Sequence, residues 1–191
     1  KYSKKIDLYG LNGQLYNALG ITAGLMGDHA NALKYHKQSL EQCSDKSNAN
    51  YCRILINIAK LYSEIGEVDK SLAINLDCIE LSEKNEDEHA LAVCERNVGR
   101  NYEHLKKYEK AIVYYRSALG RYKIVGDHAG AGHTNINIAN AYFKMNKFDK
   151  ADNYNKIAHN VFKKYKISNG SAYQLIQSAL IKLELGSIEE A

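Results

Sequence analysis

The chain has 191 residues, a formal charge of +4, and 45% hydrophobic against 25% charged residues. That balance excludes a low-complexity or disordered chain, and no apolar run is long enough to span a bilayer. The lysines are scattered, with only pairs at Lys106-Lys107 and Lys163-Lys164, so a nucleic-acid partner, which calls for charge concentrated on one face, is not expected.

The opening stretch KYSKKIDLYG has no apolar h-region and no initiator Met, so no signal peptide is expected there and Lys1 is expected to be internal to a larger protein. Proline is absent, which leaves every helix uninterrupted. Residues 1 to 14 align with 160 to 173, placing Lys4-Lys5 over Lys163-Lys164. The chain is therefore expected to open, over residues 1–10, in the end of a truncated repeat.

Two segment types then recur in order. The first type reads NALGITAGLMG from Asn17, INIAKLYSEIG from Ile56, RNVGRNYEHLK from Arg96, INIANAYFKMN from Ile136 and IQSALIKLELG from Ile176. The second follows each: DHANALKYHKQSL from Asp28, EVDKSLAINLDCI from Glu67, KYEKAIVYYRSAL from Lys107, KFDKADNYNKIAH from Lys147, and a closing SIEEA. A small residue marks the register at Ala32, Ser71, Ala111, Ala151 and Ala191. A fixed period of about forty residues is the signature of a repeat array. Within each unit apolar residues recur at three and four, as with Ala111, Tyr114, Tyr115, Ala118 and Tyr122, so each unit is predicted to be two amphipathic helices. The repeats are expected at about 13–48, 49–87, 88–127, 128–167 and 168–191, the last truncated.

The pattern resembles the tetratricopeptide repeat, carried by Gly99, Tyr102, Ala111, Tyr115 and Ala118. It departs from the family in its longer period and in lacking the helix-ending proline. Both features resemble the long-repeat branch of Leu-Gly-Asn-type scaffolds and of bacterial signalling proteins. The resemblance implies an all-α fold, a right-handed α-α superhelix of antiparallel helix pairs. It also implies a scaffold that binds a protein or peptide, as the sensor or docking region of a larger signalling protein. Two other classes stay open: a small-ligand or quorum-peptide receptor region, and a spacer or self-association module with end-to-end contacts.

By the same resemblance the first helix of each pair lines a groove. That places Asn57, Asn97, Asn137 and Gln177 as an amide ladder suited to an extended backbone. Beside them come Lys60, Arg100 and Asn140, then Arg96, then Arg53, His133 and Tyr173, with His104 nearer the opposite edge alongside Glu64 and Glu103. The arginines suit carboxylates, so the expected ligand is an acidic segment or a free C-terminus. The competing readings are asparagines that bridge neighbouring helices and a solvated charged face.

The tetrapeptide GDHA occurs at Gly27 and again at Gly126, 99 residues apart. That separation is two and a half repeats, so the copies fall at different kinds of turn. A helix-ending glycine followed by a capping Asp is the reading that fits both. None of the seven histidines falls in a metal-ligand spacing, and HAGAGH lacks the Lys-Ser/Thr of a phosphate loop. No metal, no cofactor and no enzymatic activity are expected. Cys43 and Cys52 straddle one predicted turn, and Cys78 and Cys94 the next. Either each pair forms a disulfide or the cysteines are small buried apolar residues. The compartment, cytoplasmic or periplasmic, follows from that choice.

Overall fold

The computed structural model describes residues 8–43, 49–168, 178–184 and 186. It divides into two compact units, residues 1–90 and 91–191. The first contains α1 (Leu8–Leu25), α2 (His29–Glu41), α3 (Ala49–Glu64) and α4 (Val68–Lys84). The second contains α5 (Glu88–His104) from Leu91 onward, α6 (Tyr108–Val125), α7 (His128–Lys144), α8 (Phe148–Tyr165) and the helical residues 178–184. No strand occurs among the described residues.

The turns follow from local sequence. Within each helix pair a three-residue link holds a left-handed residue: Gly27, Gly66, Lys106 and Asn146. The next N–H then reaches five residues back, as in Asp28 N–H to Ala23 O at 2.9 Å and Lys107 N–H to Tyr102 O at 2.8 Å. This satisfies carbonyls that the ending helix leaves open. The GDHA copies are caps, as their residues imply. Gly27 and Gly126 have φ of 79° and 72°. Asp28 accepts from the Asn31 N–H at 3.1 Å, and Asp127 from the Gly130 N–H at 2.8 Å. The first lies between α1 and α2, the second between α6 and α7.

Gly13 lies inside helix α1 (Leu8–Leu25) and is a contact point. The Gly13 carbonyl accepts from Ser39 Oγ at 2.6 Å, and a Cβ there would lie 3.3 Å from Gln42 Cβ.

Glycines also seat buried rings. A Cβ on Gly20 would come within 2.7 Å of the His36 ring, and one on Gly99 within 2.5 Å of the Tyr115 ring. Gly130 and Gly132 clear Tyr122 and Phe162 in the same way. At the register of His36 and Tyr115 the other two helix pairs carry Asn75 and Asn155, and at the register of Gly20 and Gly99 they carry Ala59 and Ala139, all four buried. Small opposes ring, and Ala accompanies Asn, so the larger partner on one helix goes with the smaller one on the other, as a close-packed interior requires. The second unit's core joins Ala111, Ile112, Tyr115, Ile138, Ala141, Tyr142, Ala151 and Ile181.

Of the two readings of the cysteines, the disulfides Cys43–Cys52 and Cys78–Cys94 are not formed: none of the four is in a disulfide. Cys52 instead faces Cys78 across α3 and α4. Each Sγ lies 4.0 Å from the other residue's carbonyl oxygen, and Cys52 Sγ lies 3.2 Å from Ser82 Oγ. Cys52, Cys78 and Cys94 are buried, as small apolar residues are. Symmetry about a turn failed as a guide because helical phase, not distance from the turn, decides which side chains meet.

Candidate functional site

The second unit holds a groove of about 640 Å³ between α5 and α7. Arg96, Arg100, Glu103 and His104 come from α5, and His133, Asn137, Asn140 and Lys144 from α7, with Tyr108 at the start of α6. The spacing of four between Arg96, Arg100 and His104 puts all three on one helical face. The guanidinium of Arg96 lies over the Tyr122 ring at 5.7 Å. Burial pushes the Tyr122 hydroxyl up to about 12, so that ring stays neutral beneath the cation.

Glu103 is the groove's inner carboxylate. It accepts from the Tyr115 hydroxyl at 2.7 Å. Burial raises its pKa, while the Tyr115 hydrogen bond, His104, Arg100 and Lys144 pull it back down. Burial and the neighbouring Glu103 hold Tyr115 firmly protonated, so the hydroxyl remains the donor. His133 is held below its usual pKa by burial and then by Arg96, against the pull of Asp127. Its ring tilts against Phe162 at 5.3 Å. At neutral pH the groove therefore presents the fixed cations Arg96, Arg100 and Lys144, a neutral imidazole at His133, and two side-chain amides. In the same unit Glu95 takes Arg121 Nε at 3.1 Å and the Ser117 hydroxyl at 2.8 Å.

The first unit holds a cavity of about 330 Å³ between α1 and α3, lined by Gly20, Ile21, Gly24, Leu25, His36, Asn57, Lys60, Leu61 and Glu64. Lys60 Nζ lies 3.6 Å from a Glu64 oxygen, and His29 Nδ1 lies 3.9 Å from the other.

Of the sequence-derived residues, Arg96, Arg100, His104, His133, Asn137 and Asn140 meet in one groove. Asn57 and Lys60 line the other cavity. Asn57 there donates to Asn17 Oδ1 at 3.1 Å, so this amide does bridge neighbouring helices. Arg53 and Asn97 line neither. Arg53 is exposed and donates to Asn50 Oδ1 at 2.6 Å, while Asn97 is half-buried. Tyr173 and Gln177 lie outside the described residues. Lys144 was missed although it stands forty residues after His104, and the repeat register could have found it. Tyr108 had no such signal, since it enters the groove from the second helix of its pair.

The family model described as "Tetratricopeptide repeat" matches residues 12–84, 50–124 and 90–164. No curated protein sequence matches the chain. Among solved structures the chain is similar to BtubC (BKLC) from P. vanneervenii, with 18% identity over 96% of this chain and 76% of that one, at a TM-score of 0.78. It is similar to aspartyl phosphate phosphatase F from Bacillus subtilis, with 20% identity over 98% of this chain and 50% of that one, TM-score 0.82. It is also similar to a Rap protein complexed with Competence and Sporulation Factor, with 18% identity over 95% and 51%, TM-score 0.81. The chain thus spans about half the length of the last two. At these identities the likeness is one of fold.

Proposed function

The chain belongs to the tetratricopeptide repeat family, and from that premise we propose that it is a docking module whose second unit binds an acidic polypeptide segment in the groove between α5 and α7. The observation that carries this reading is the convergence of Arg96, Arg100 and Lys144 on one 640 Å³ groove that also offers the amides of Asn137 and Asn140. Arginine forks match carboxylates with two parallel hydrogen bonds, and side-chain amides pair with a backbone donor and acceptor at once. Three fixed cations face one inner carboxylate, Glu103, so an anionic ligand relieves their mutual repulsion. The module serves as the sensor or docking region of a larger signalling protein. A Rap protein of similar fold is complexed with Competence and Sporulation Factor, which favours a bound ligand over a spacer role.

The test is fluorescence anisotropy with a labelled decapeptide rich in Asp and Glu, carrying a free or an amidated C-terminus. Wild type binds it, and binding weakens with added salt. Each charge-assisted contact contributes about 1.5–3 kcal/mol, so Arg96→Ala/Arg100→Ala weakens binding at least tenfold while circular dichroism stays unchanged. Glu103→Gln tightens it, because a like charge leaves the groove. Equal affinity of wild type and the double variant would move the site off this groove. Both proteins as baits in a lysate then identify the partner that depends on Arg96 and Arg100.

A further inference from the structure

The first unit's cavity has a different chemistry, and the groove of the second unit does not account for it. Helix α1 carries no charged residue over Leu8–Leu25. Its Ile21 and Leu25 line the cavity and are 45% and 81% exposed. Leu61 of α3 adds a third apolar wall. Gly20 and Gly24 keep the α1 surface low there: a Cβ on Gly20 would strike the His36 ring, and one on Gly24 would meet Leu61 Cδ2 at 3.5 Å and Ala32 Cβ at 3.8 Å. His36 itself is 2% exposed, lines the cavity, and has a buried Nδ1 with no hydrogen-bond partner. An unsatisfied buried polar group is costly, and native folds rarely keep one without a use.

The rim adds specificity. Lys60 and Glu64 pair with each other, so the mouth has no net charge to attract or repel an ion. The cavity therefore suits a neutral group that is apolar on its faces and polar at its tip. Its volume, about 330 Å³, lies at the lower end of the range for ligand sites. A phenol fits this description. Its ring lies against Ile21, Leu25 and Leu61 over the glycine backbone. Its hydroxyl both donates and accepts, so it satisfies the imidazole in either tautomer. The edge of the His36 ring that carries both nitrogens lies against Gly20, itself part of the cavity wall.

We infer that this cavity is an anchor pocket for a tyrosine side chain of a bound segment, with the His36 imidazole as partner of its hydroxyl. It rests on the peptide-binding reading only in that a polypeptide carries the ring. It lies wholly in the first unit, apart from Arg96 and Arg100.

The experiment titrates the full chain with N-acetyl-tyrosinamide and, separately, N-acetyl-phenylalaninamide, which differ by one hydroxyl, and follows the His36 imidazole by NMR. The tyrosine amide is expected to bind about fivefold more tightly, the worth of one net hydrogen bond, and to move the His36 ring signals. A variant that keeps the packing is Gly20→Ala/His36→Asn, because it installs the Ala and Asn found at Ala59 with Asn75 and at Ala139 with Asn155. It should lose the fivefold preference. Equal binding of the two amides, unmoved His36 signals, or a preference that survives in the variant overturns the proposal. The Arg96→Ala/Arg100→Ala protein keeps the tyrosine preference whether or not the acidic peptide binds, so the two sites fail or stand separately.

Discussion

At one register of the first helix of a pair, the first unit has Gly20, Ile21, Gly24 and Leu25, and the second, two repeats on, has Gly99, Arg100, Glu103 and His104. The first set lines one cavity, and Arg100, Glu103 and His104 of the second line the other; the opposite wall of each is the first helix of the following pair. The glycine that seats a buried ring is common to both sets. The other three differ in every chemical property: bare and apolar in one unit, charged and hydrogen-bonding in the other. The helix pair fixes where a cavity forms, and the residues outside its packing contacts are left to decide what enters.

The sharpest way to break this comparison is through the shared glycine. Gly99→Ala places a methyl 2.5 Å from the Tyr115 ring. Overpacking of this kind costs about 1–3 kcal/mol, read as a lower urea midpoint. Combined with Tyr115→Asn, as Ala139 stands with Asn155, the second substitution should cost less than it does alone. A double-mutant cycle with no coupling would show that ring volume does not set the choice of glycine.

The units should also differ in their response to acid. Burial holds His36 below the ordinary histidine value of about 6.5. The unfolded chain then takes up that proton first, so stability is lost as pH falls below 6.5 toward the folded value. His133 acts in the same direction in the second unit, but the raised Glu103 opposes it. A carboxyl with a raised pKa is protonated earlier in the folded state, so stability is regained as pH falls through that value. Urea midpoints from pH 7.5 to 5 should therefore flatten in Gly20→Ala/His36→Asn, and steepen in Glu103→Gln.

The smallest expected effect lies in the turns. Inside its helix pairs the first unit uses glycine at both left-handed links, with φ of 79° and 84°, and the second uses Lys106 and Asn146, at 57° and 56°. A side chain in that region costs about 1 kcal/mol, least for Asn. Lys106→Gly should raise the thermal midpoint modestly, and Asn146→Gly should raise it less. A lowered midpoint for Lys106→Gly would mean that its side chain contributes more than its backbone costs.

The helix pairs, their links and both GDHA caps were legible in the sequence because each depends on residues within a few positions of one another. The resemblance to the repeat family also put Arg96, Arg100 and His104 on the groove, and the forty-residue register could have added Lys144. It could not show that Asn57 bonds Asn17 or that Arg53 lies outside both cavities, since equal register does not mean equal neighbours.

What the sequence determined by itself is therefore periodic and local: helical phase, the turn residues, the caps, and the small-against-large alternation of Gly20, Ala59, Gly99 and Ala139. Tertiary structure alone decided which thiol faces which, that His36 is buried with an unsatisfied nitrogen beside a cavity, and that Glu103 sits under the cations of α5 and α7. The reason is that a side chain's solvation and partners are set by the helices that pack against it, and these come from residues tens of positions away.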